Sequence, residues 1–257
     1  MKKILTLLLA CCALTLQAQR KPVADNDTTI RKAAEKGWQV KLAAGFNIGG
    51  TSPMPLPREI RKIESYNPLL NIAIEGAVHK RFGDSKWGIQ AGLRLETKGM
   101  KTDARVKNYH IEMTADDGGY MEGAWTGHVK TRVRNSYLTI PILATLQVHP
   151  RWQLSAGPYL SYMYEGDFSG EAYDGYLRHH DPTGEKAYVT HANYDFSDDL
   201  RHFQWGIQAG AEFHAYKHLA AFVNLQWGLN GIFPRDFDAV SFSLYPIYAN
   251  VGFCYLF

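Results

Sequence analysis

The stretch FQWGIQAGAEFH, residues 203–214, alternates between apolar side chains and polar or small ones. Its odd-numbered positions carry aromatic and aliphatic residues, and its even-numbered positions carry glutamine, glycine, glutamate and histidine. Because successive side chains of a β-strand point to opposite faces of the sheet, this pattern predicts a strand with one apolar and one polar face. A sandwich would bury the apolar face against a second sheet, whereas a membrane barrel would turn it to lipid and the polar face to the lumen.

The same alternation recurs along the chain in segments that are separated by turn residues. We count eight such strands, an even number, as single-chain bacterial barrels require. The hairpins around Ile111 and Val189 would raise this count to ten if they entered the membrane, but their charges favour extension above it. The approximate predicted bounds are Trp38–Gly49, Leu70–Phe82, Trp87–Asp103, Lys130–Val148, Trp152–Gly166, Arg201–Tyr216, Leu219–Ile232 and Val240–Phe257.

The connections between these segments alternate in length. The short ones are 83–86, 149–151 and 216–218, and the mostly long ones lie near 50–68, 104–129, 167–200 and 233–239. Short turns on one side and long loops on the other are typical of outer-membrane barrels, which keep both termini in the periplasm. The sequence therefore predicts an all-β fold, an eight-stranded antiparallel transmembrane β-barrel with an up-and-down meander, short periplasmic turns and long extracellular loops.

The amino-terminus has the layout of a secretory signal peptide, because Lys2 and Lys3 precede an apolar stretch at 4–16. We predict a signal peptide at 1–18, a short periplasmic segment at 19–37 and the outer-membrane barrel domain at 38–257. The apolar stretch is too short for a spanning helix, and no later stretch approaches the roughly 20 apolar residues that a helical span needs. Cys11 raises an alternative, since the residues before it loosely resemble a lipoprotein-processing site.

The composition bears on possible partners, on disulfide bonds and on the fold. Removal of Lys2 and Lys3 leaves 26 basic and 25 acidic residues, so charge gives no reason to expect binding to nucleic acid. Cleavage near residue 18 leaves Cys254 as the sole cysteine of the mature chain, which excludes a disulfide within it. The aromatic fraction of 13% with 23 glycines fits β-structure with rings at the membrane interfaces.

The last eight residues predict where the protein is delivered. Asn250, Gly252, Tyr255 and Phe257 place a polar residue, a glycine and two aromatic residues in the spacing of the C-terminal signal that the barrel-assembly machinery reads. We therefore expect this machinery as a partner during biogenesis, outer-membrane lipid as the permanent environment, and the outer membrane of a Gram-negative bacterium as the location.

Three stretches resemble the PorT-like outer-membrane β-barrel proteins that are typical of Bacteroidetes. They are NSYLTIPIL at 135–143, AGPYLS at 156–161 and FQWGIQAGAE at 203–212, and with the terminal strand they cover nearly the whole mature chain. The resemblance implies a barrel of the porin family in the outer membrane. It implies no defined activity, and a role in secretion is not carried over from it.

The polar faces of the predicted strands bring both signs of charge into the interior. Lys41, Glu75, Arg94, Glu96 and Glu212 are the members from which we predict a polar network in the lumen. An eight-stranded barrel is about wide enough to be filled by its side chains, so we expect a filled lumen and not a wide pore. The alternative is a narrow pathway for protons or ions, that is, a transporter or a secretion-associated component.

The long loop at 167–200 carries the candidate surface-binding residues. Tyr173, Tyr176 and Tyr188 stand among polar residues, as in sites that recognise a surface protein or a glycan, and 187–196 also alternates as a strand that extends above the membrane would. His179, His180 and Asp181 belong to the same candidate set and could instead serve a membrane-embedded hydrolase. No catalytic motif accompanies them, so we expect a non-enzymatic barrel with a structural or surface-binding role, without catalytic residues, bound metal or cofactor.

Overall fold

The structure, a computed structural model, describes residues 37–115, 119–178, 183–216, 218–237, 239–240 and 242–257. Within these ranges the chain is all-β and contains no helix that is long and apolar enough to cross a membrane. The described part has eleven strands. Their bounds are β1 Trp38–Pro53, β2 Ile60–Asn67, β3 Ile72–Arg81, β4 Trp87–Ala115, β5 Tyr120–His149, β6 Trp152–Glu165, β7 Phe168–Arg178, β8 Lys186–Asp195, β9 Phe203–Tyr216, β10 Leu219–Gly228 and β11 Leu244–Leu256.

The predicted antiparallel all-β meander is confirmed, whereas the described ranges hold eleven strands and not eight. The three additional strands lie where long loops were predicted: β2 in the loop at 50–68, and β7 and β8 in the loop at 167–200. The predicted loop at 104–129 is also largely extended, because β4 and β5 run on as 29- and 30-residue strands. A register shift between Val106 and Tyr109, with Asn108 at φ +54°, interrupts the alternation there and makes the sequence read as a loop.

Antiparallel ladders join eight strands one to the next, in the order β1, β3, β4, β5, β6, β9, β10 and β11. Neighbours in the chain are joined by short turns between β3 and β4, between β5 and β6, and between β9 and β10. The first and last of the eight also pair with each other, from Lys41 opposite Leu256 to Pro53 opposite Leu244. The backbone groups of the terminal strand are therefore satisfied from both sides.

The two faces of these strands are inverted relative to a soluble protein. On β9, Phe203, Trp205 and Ile207 are each about half exposed, whereas Gln204 and Gln208 are 3% and 2% exposed. The same arrangement recurs on β1 and β4, where Trp38 and Trp87 stand on the exposed side. An exposed apolar face and a buried polar face suit a sheet that meets lipid, and they exclude a sandwich that buries its apolar side chains.

The long parts of β4 and β5 carry the three additional strands. β2 pairs with β4 from Val106 back to Lys101, and β7 pairs with β5 between Ala124 and Val133. β8 pairs with β7 and meets the far end of β4 at Thr114. We call this part the extended sheet; it consists of β2, β7 and β8 with residues 101–115 of β4 and 120–133 of β5.

The extended sheet contributes to an apolar core that also includes Leu200 and Leu244 from outside it. Trp125 is completely buried there, among Ile111, Met113, Leu177 and other apolar side chains. The indole lies against two glycines, since a Cβ at Gly127 would come within 2.7 Å and one at Gly175 within 2.6 Å of its six-membered ring. Any larger residue at either position would displace the ring, so these glycines are needed for the close packing of the core.

We predict that Trp125→Ala destabilises the extended sheet by about 3–5 kcal/mol, the usual range for removing a buried tryptophan. Trp125 lies in the part of β5 that belongs to the extended sheet, so we expect the ladders among the eight strands beyond that part to stay folded. Limited proteolysis within β7 and β8, followed as a function of urea concentration, measures the change. Tyr188→Ala is the control, because Tyr188 is 80% exposed and its removal should change stability by less than about 0.5 kcal/mol. Equal protease resistance of the two variants would contradict the prediction.

Candidate functional site

The interior holds a buried ion cluster at the level of Arg94. The guanidinium donates from Nε to Glu75 Oε2 at 2.6 Å, and its Nη1 lies 3.8 Å from Glu96 Oε2. Lys98 Nζ contacts the other oxygen of Glu96 at 3.1 Å. All four side chains are at least nine-tenths buried, so each charge depends on its partners for the solvation that water no longer supplies.

Neutral side chains complete the coordination of this cluster. The Thr139 hydroxyl donates to Glu96 Oε1 at 2.8 Å, and the Asn47 amide donates to Glu96 Oε2 at 3.0 Å. Arg94 Nη1 also donates to the Gln208 side-chain oxygen at 3.1 Å. Closer to the short turns, Lys41 contacts Glu212 at 2.9 Å and forms a second ion pair.

The structure thus brings all five predicted lumen residues into the interior, in two groups. The cavity beside Lys41, Glu75 and Glu212 measures about 30 Å³, which is room for very few water molecules. The sequence did not predict that Thr139 and Lys98 both contact Glu96. Alternation shows on which face of the strand a residue lies, but not which side chain it contacts.

The exposed face of the extended sheet carries a row of polar side chains across β2, β4, β5 and β7. Glu64 Oε2 lies 3.3 Å from His128 Nδ1, and the Tyr173 hydroxyl donates to Asp103 Oδ2 at 2.8 Å. Burial of its hydroxyl, together with that hydrogen bond, raises the pKa of Tyr173 to about 12. The row is therefore fixed by contacts between strands.

A second row lies beside the first. Lys130 Nζ contacts Glu171 Oε1 at 2.7 Å, and His191 Nε2 contacts Glu171 Oε2 at 2.8 Å. Hydrogen bonds from Lys130 and His191 hold the pKa of the Glu171 carboxyl below its usual range. A polar cleft of about 820 Å³ runs along these rows and mixes both signs of charge; its charged lining residues are Lys101, Asp103, Lys130, Arg132, Glu171 and Asp195.

The opposite face of the extended sheet contains an apolar recess of about 340 Å³. Its lining includes Ile60 and Ile63 of β2 and Met100 and Val106 of β4, and it contains no charged residue among the described part of the chain. The recess lies where β1 has run past its last partner on β3, at Phe46, and where β2 pairs only with β4. The Tyr66 hydroxyl donates to the Gly49 carbonyl at 2.7 Å across this gap.

The predicted recognition residues fall into three situations. Tyr173 belongs to the first polar row. The rings of Tyr176 on β7 and Tyr188 on β8 pack against each other, with 6.1 Å between their centroids. His179, His180 and Asp181 lie outside the described residues. Sequence reasoning did not single out Glu64, Asp103 or His128 as a group, because only the register of two ladders, β2 with β4 and β4 with β5, brings them together.

The proposed assembly residues occupy both faces of β11. Asn250 is buried and donates to Asn47 Oδ1 at 2.8 Å, and Gly252 pairs with Gly45 of β1. Tyr255 and Phe257 lie on the exposed side, and the Phe257 amide donates to the Val40 carbonyl at 2.9 Å. Reading of these residues by the assembly machinery stays a prediction.

Residues 17–234 match the family model described as an outer membrane protein beta-barrel domain. The chain belongs to this family. An outer-membrane location follows for this barrel domain, and the exposed apolar faces of its strands agree with it. The match does not distinguish the PorT-like proteins from other members.

Solved outer-membrane proteins resemble this barrel domain at low identity. The attachment invasion locus protein Ail of Yersinia pestis is 10% identical, with 85% of this chain and 98% of that chain covered and a TM-score of 0.38. Neisserial surface protein A is 8% identical, covering 85% and 96%, with a TM-score of 0.28. The outer membrane protease OmpT from Escherichia coli is 11% identical, covering 86% and 96%, with a TM-score of 0.28. The search of curated proteins gave no match.

We predict that Arg94→Met destabilises the barrel domain by about 3–5 kcal/mol, because it leaves Glu75 and Glu96 as buried carboxylates without their shared cation. The midpoint of heat-induced band shift on a denaturing gel, measured with the protein in detergent, reports the change. Lys62→Met is the matched control, since Lys62 is exposed and lies 3.9 Å from its partner Glu64. The idea of a stabilising interior cluster fails if both variants shift at the wild-type temperature.

Proposed function

We propose that this protein is a non-enzymatic outer-membrane barrel whose function is to hold the extended sheet at the cell surface as a binding structure. The length of β4 and β5 carries the proposal. A transmembrane β-strand needs about 9–11 residues, whereas these two have 29 and 30. Both strands are therefore much longer than a bilayer requires. Their additional length pairs with three further strands and contributes to an apolar core.

In this proposal eight strands span the membrane: β1, β3, β4, β5, β6, β9, β10 and β11. Exposed apolar side chains on β4 run from Trp87 to Leu95, which is about the height of one hydrocarbon layer. β2, β7 and β8 pair only with parts of β4 and β5 beyond that band, or with each other. The short turns and both termini then lie in the periplasm, and the extended sheet lies outside.

The filled interior supports a structural role over transport. The charges are paired within the cluster around Arg94 and within the Lys41–Glu212 pair, and an ion that passed along the lumen would have to break several buried hydrogen bonds. We therefore favour a barrel with an occluded lumen over the narrow transporter that the buried charges also suggested.

We predict that the purified barrel, inserted in planar lipid bilayers, shows no stable single-channel steps, because its lumen is occupied by paired side chains. Protein that has not folded serves as the control for insertion artefacts. Reproducible unitary conductance from the heat-modifiable, folded form would refute the filled lumen and would favour the transporter.

The apolar recess gives the binding role a chemical class. Its volume of about 340 Å³ falls in the range of small-molecule sites, roughly 300–1,000 Å³. A lining without charged residues favours hydrocarbon, which gains free energy as its surface leaves water. Among the described residues, β1 has no strand partner on this edge beyond Phe46, and the exposed Ile48 lies in that stretch. We therefore propose an alkyl chain that enters from the membrane side.

We predict that Ala104→Trp fills the recess and reduces occupancy by an alkyl chain several-fold. The measurement is photolabelling with a diazirine fatty acid in lipid nanodiscs, with adducts on β2 and β4 quantified by peptide mass spectrometry. Labelling of the lipid-facing residues of β9 provides the internal reference. Arg105→Trp is the matched control, because Arg105 is the next residue of β4 and is exposed. Recess adducts that persist unchanged in Ala104→Trp would exclude this ligand class.

The polar face supports a further part of the same proposal. Mixed charges, serine, asparagine and tyrosine line the cleft, and such a surface suits a glycan or another surface protein. The alternative hydrolase depends on His179, His180 and Asp181, which lie outside the described residues, and it stays a second hypothesis.

A further inference from the structure

We propose that Glu64, Asp103 and His128 form a site for a divalent transition-metal ion on the exposed face of the extended sheet. The three residues come from β2, β4 and β5, which are adjacent strands. Their ligand atoms, one nitrogen and two carboxylate oxygens, all lie within 4.8 Å of one another. A single ion placed between them would be within reach of all three after small side-chain adjustments.

Irregular pairing directs these side chains to a common point. The register of β2 against β4 shifts between Ile63 and Ser65, so Glu64 is the extra residue of a bulge. The register of β5 against β7 shifts between Thr126 and His128. Bulges re-aim side chains that regular alternation would send elsewhere. Two bulges that flank one cluster therefore indicate that its geometry is built by the strands.

Two buried atoms of the cluster have unsatisfied hydrogen-bonding capacity. Asp103 Oδ1 and His128 Nδ1 are both inaccessible to solvent and have no hydrogen-bond partner. Nδ1 approaches Glu64 Oε2 to 3.3 Å without the geometry of a hydrogen bond. Leaving such groups unsatisfied costs free energy, and a cation that accepts both lone pairs removes that cost.

Tyr173 holds the other side of the cluster. Its hydroxyl donates to Asp103 Oδ2 at 2.8 Å, which leaves Oδ1 as the oxygen available to an ion. Its ring stacks on the His128 imidazole with 5.1 Å between centroids and fixes the plane of that ring. Outer partners of this kind orient metal ligands and raise affinity. Tyr173 is thus a positioning residue here.

Two lysines flank the cluster. Lys130 is engaged by Glu171 at 2.7 Å, and Lys62 stands 3.9 Å from Glu64 on the exposed side. One imidazole with two carboxylates suits Zn²⁺, Mn²⁺ or Co²⁺ better than Ca²⁺ or Mg²⁺, which prefer oxygen ligands alone. Because Asp103 also lines the polar cleft, an ion here would keep coordination positions open toward it.

The test uses the full mature chain, folded in detergent and stripped with EDTA, and titrates Zn²⁺ by calorimetry. We expect binding near one equivalent in the wild type and at least a tenfold weaker affinity in Asp103→Asn and His128→Gln. Tyr173→Phe should weaken binding by roughly 10–100-fold, the usual effect of losing such an outer partner. A Co²⁺ spectrum that indicates nitrogen ligation in the wild type and loses it in His128→Gln is the second readout.

His110→Gln is the matched control, since His110 pairs with Glu122 at 3.6 Å on the same sheet but outside the cluster. Heat-modifiable migration confirms that each variant is folded. If a ligand variant does not fold, Glu64→Gln replaces it, because Glu64 is partly exposed and its loss leaves the core intact. The proposal is overturned if the wild type binds no Zn²⁺, or if His128→Gln binds as tightly as His110→Gln.

Discussion

Pairing of the backbone along every strand edge is the constraint on which the rest of this structure depends. Inside a bilayer no water can satisfy a free amide or carbonyl, so a strand there must have a partner on each side. The ladder between β1 and β11 supplies this for the two ends of the barrel domain. Thirteen residue pairs, from Lys41 with Leu256 to Pro53 with Leu244, join segments that are about 200 residues apart in the chain.

Once its edges are paired, each strand has two free faces. The environment of each face determines whether its side chains are apolar or polar. The exposed face is apolar because it meets lipid. The inner face can be polar because its buried charges are paired, as in Arg94 with Glu75 and Lys41 with Glu212. The extended sheet reverses the arrangement, with apolar residues such as Trp125 inside and the rows around Asp103 and Glu171 outside. One pair of continuous strands, β4 and β5, thus changes the sense of its alternation along its length, as the proposed passage from lipid to water requires.

The parts of the fold that could be predicted are those where this alternation is uninterrupted. Residues 203–214 show it without a break, and β9 occupies Phe203–Tyr216. The end of β4 could not be read in the same way, because the bulge near Asn108 shifts the period and resembles a loop. The same holds for the sites: membership of the interior follows from alternation, as it did for Arg94 and Glu212. The meeting of Glu64 with His128 depends on ladder register, which no local pattern contains.

The unbroken course of β4 and β5 also has a mechanical consequence. β4 and β5 join the extended sheet to the barrel as continuous strands, so the sheet cannot rotate freely against it, and in the proposed orientation it keeps one side away from the cell. A pull on a ligand held there would act along the strand axes and load many ladder hydrogen bonds together in shear. In the proposed role, this continuity suits contacts that must hold under the flow of liquid past a cell.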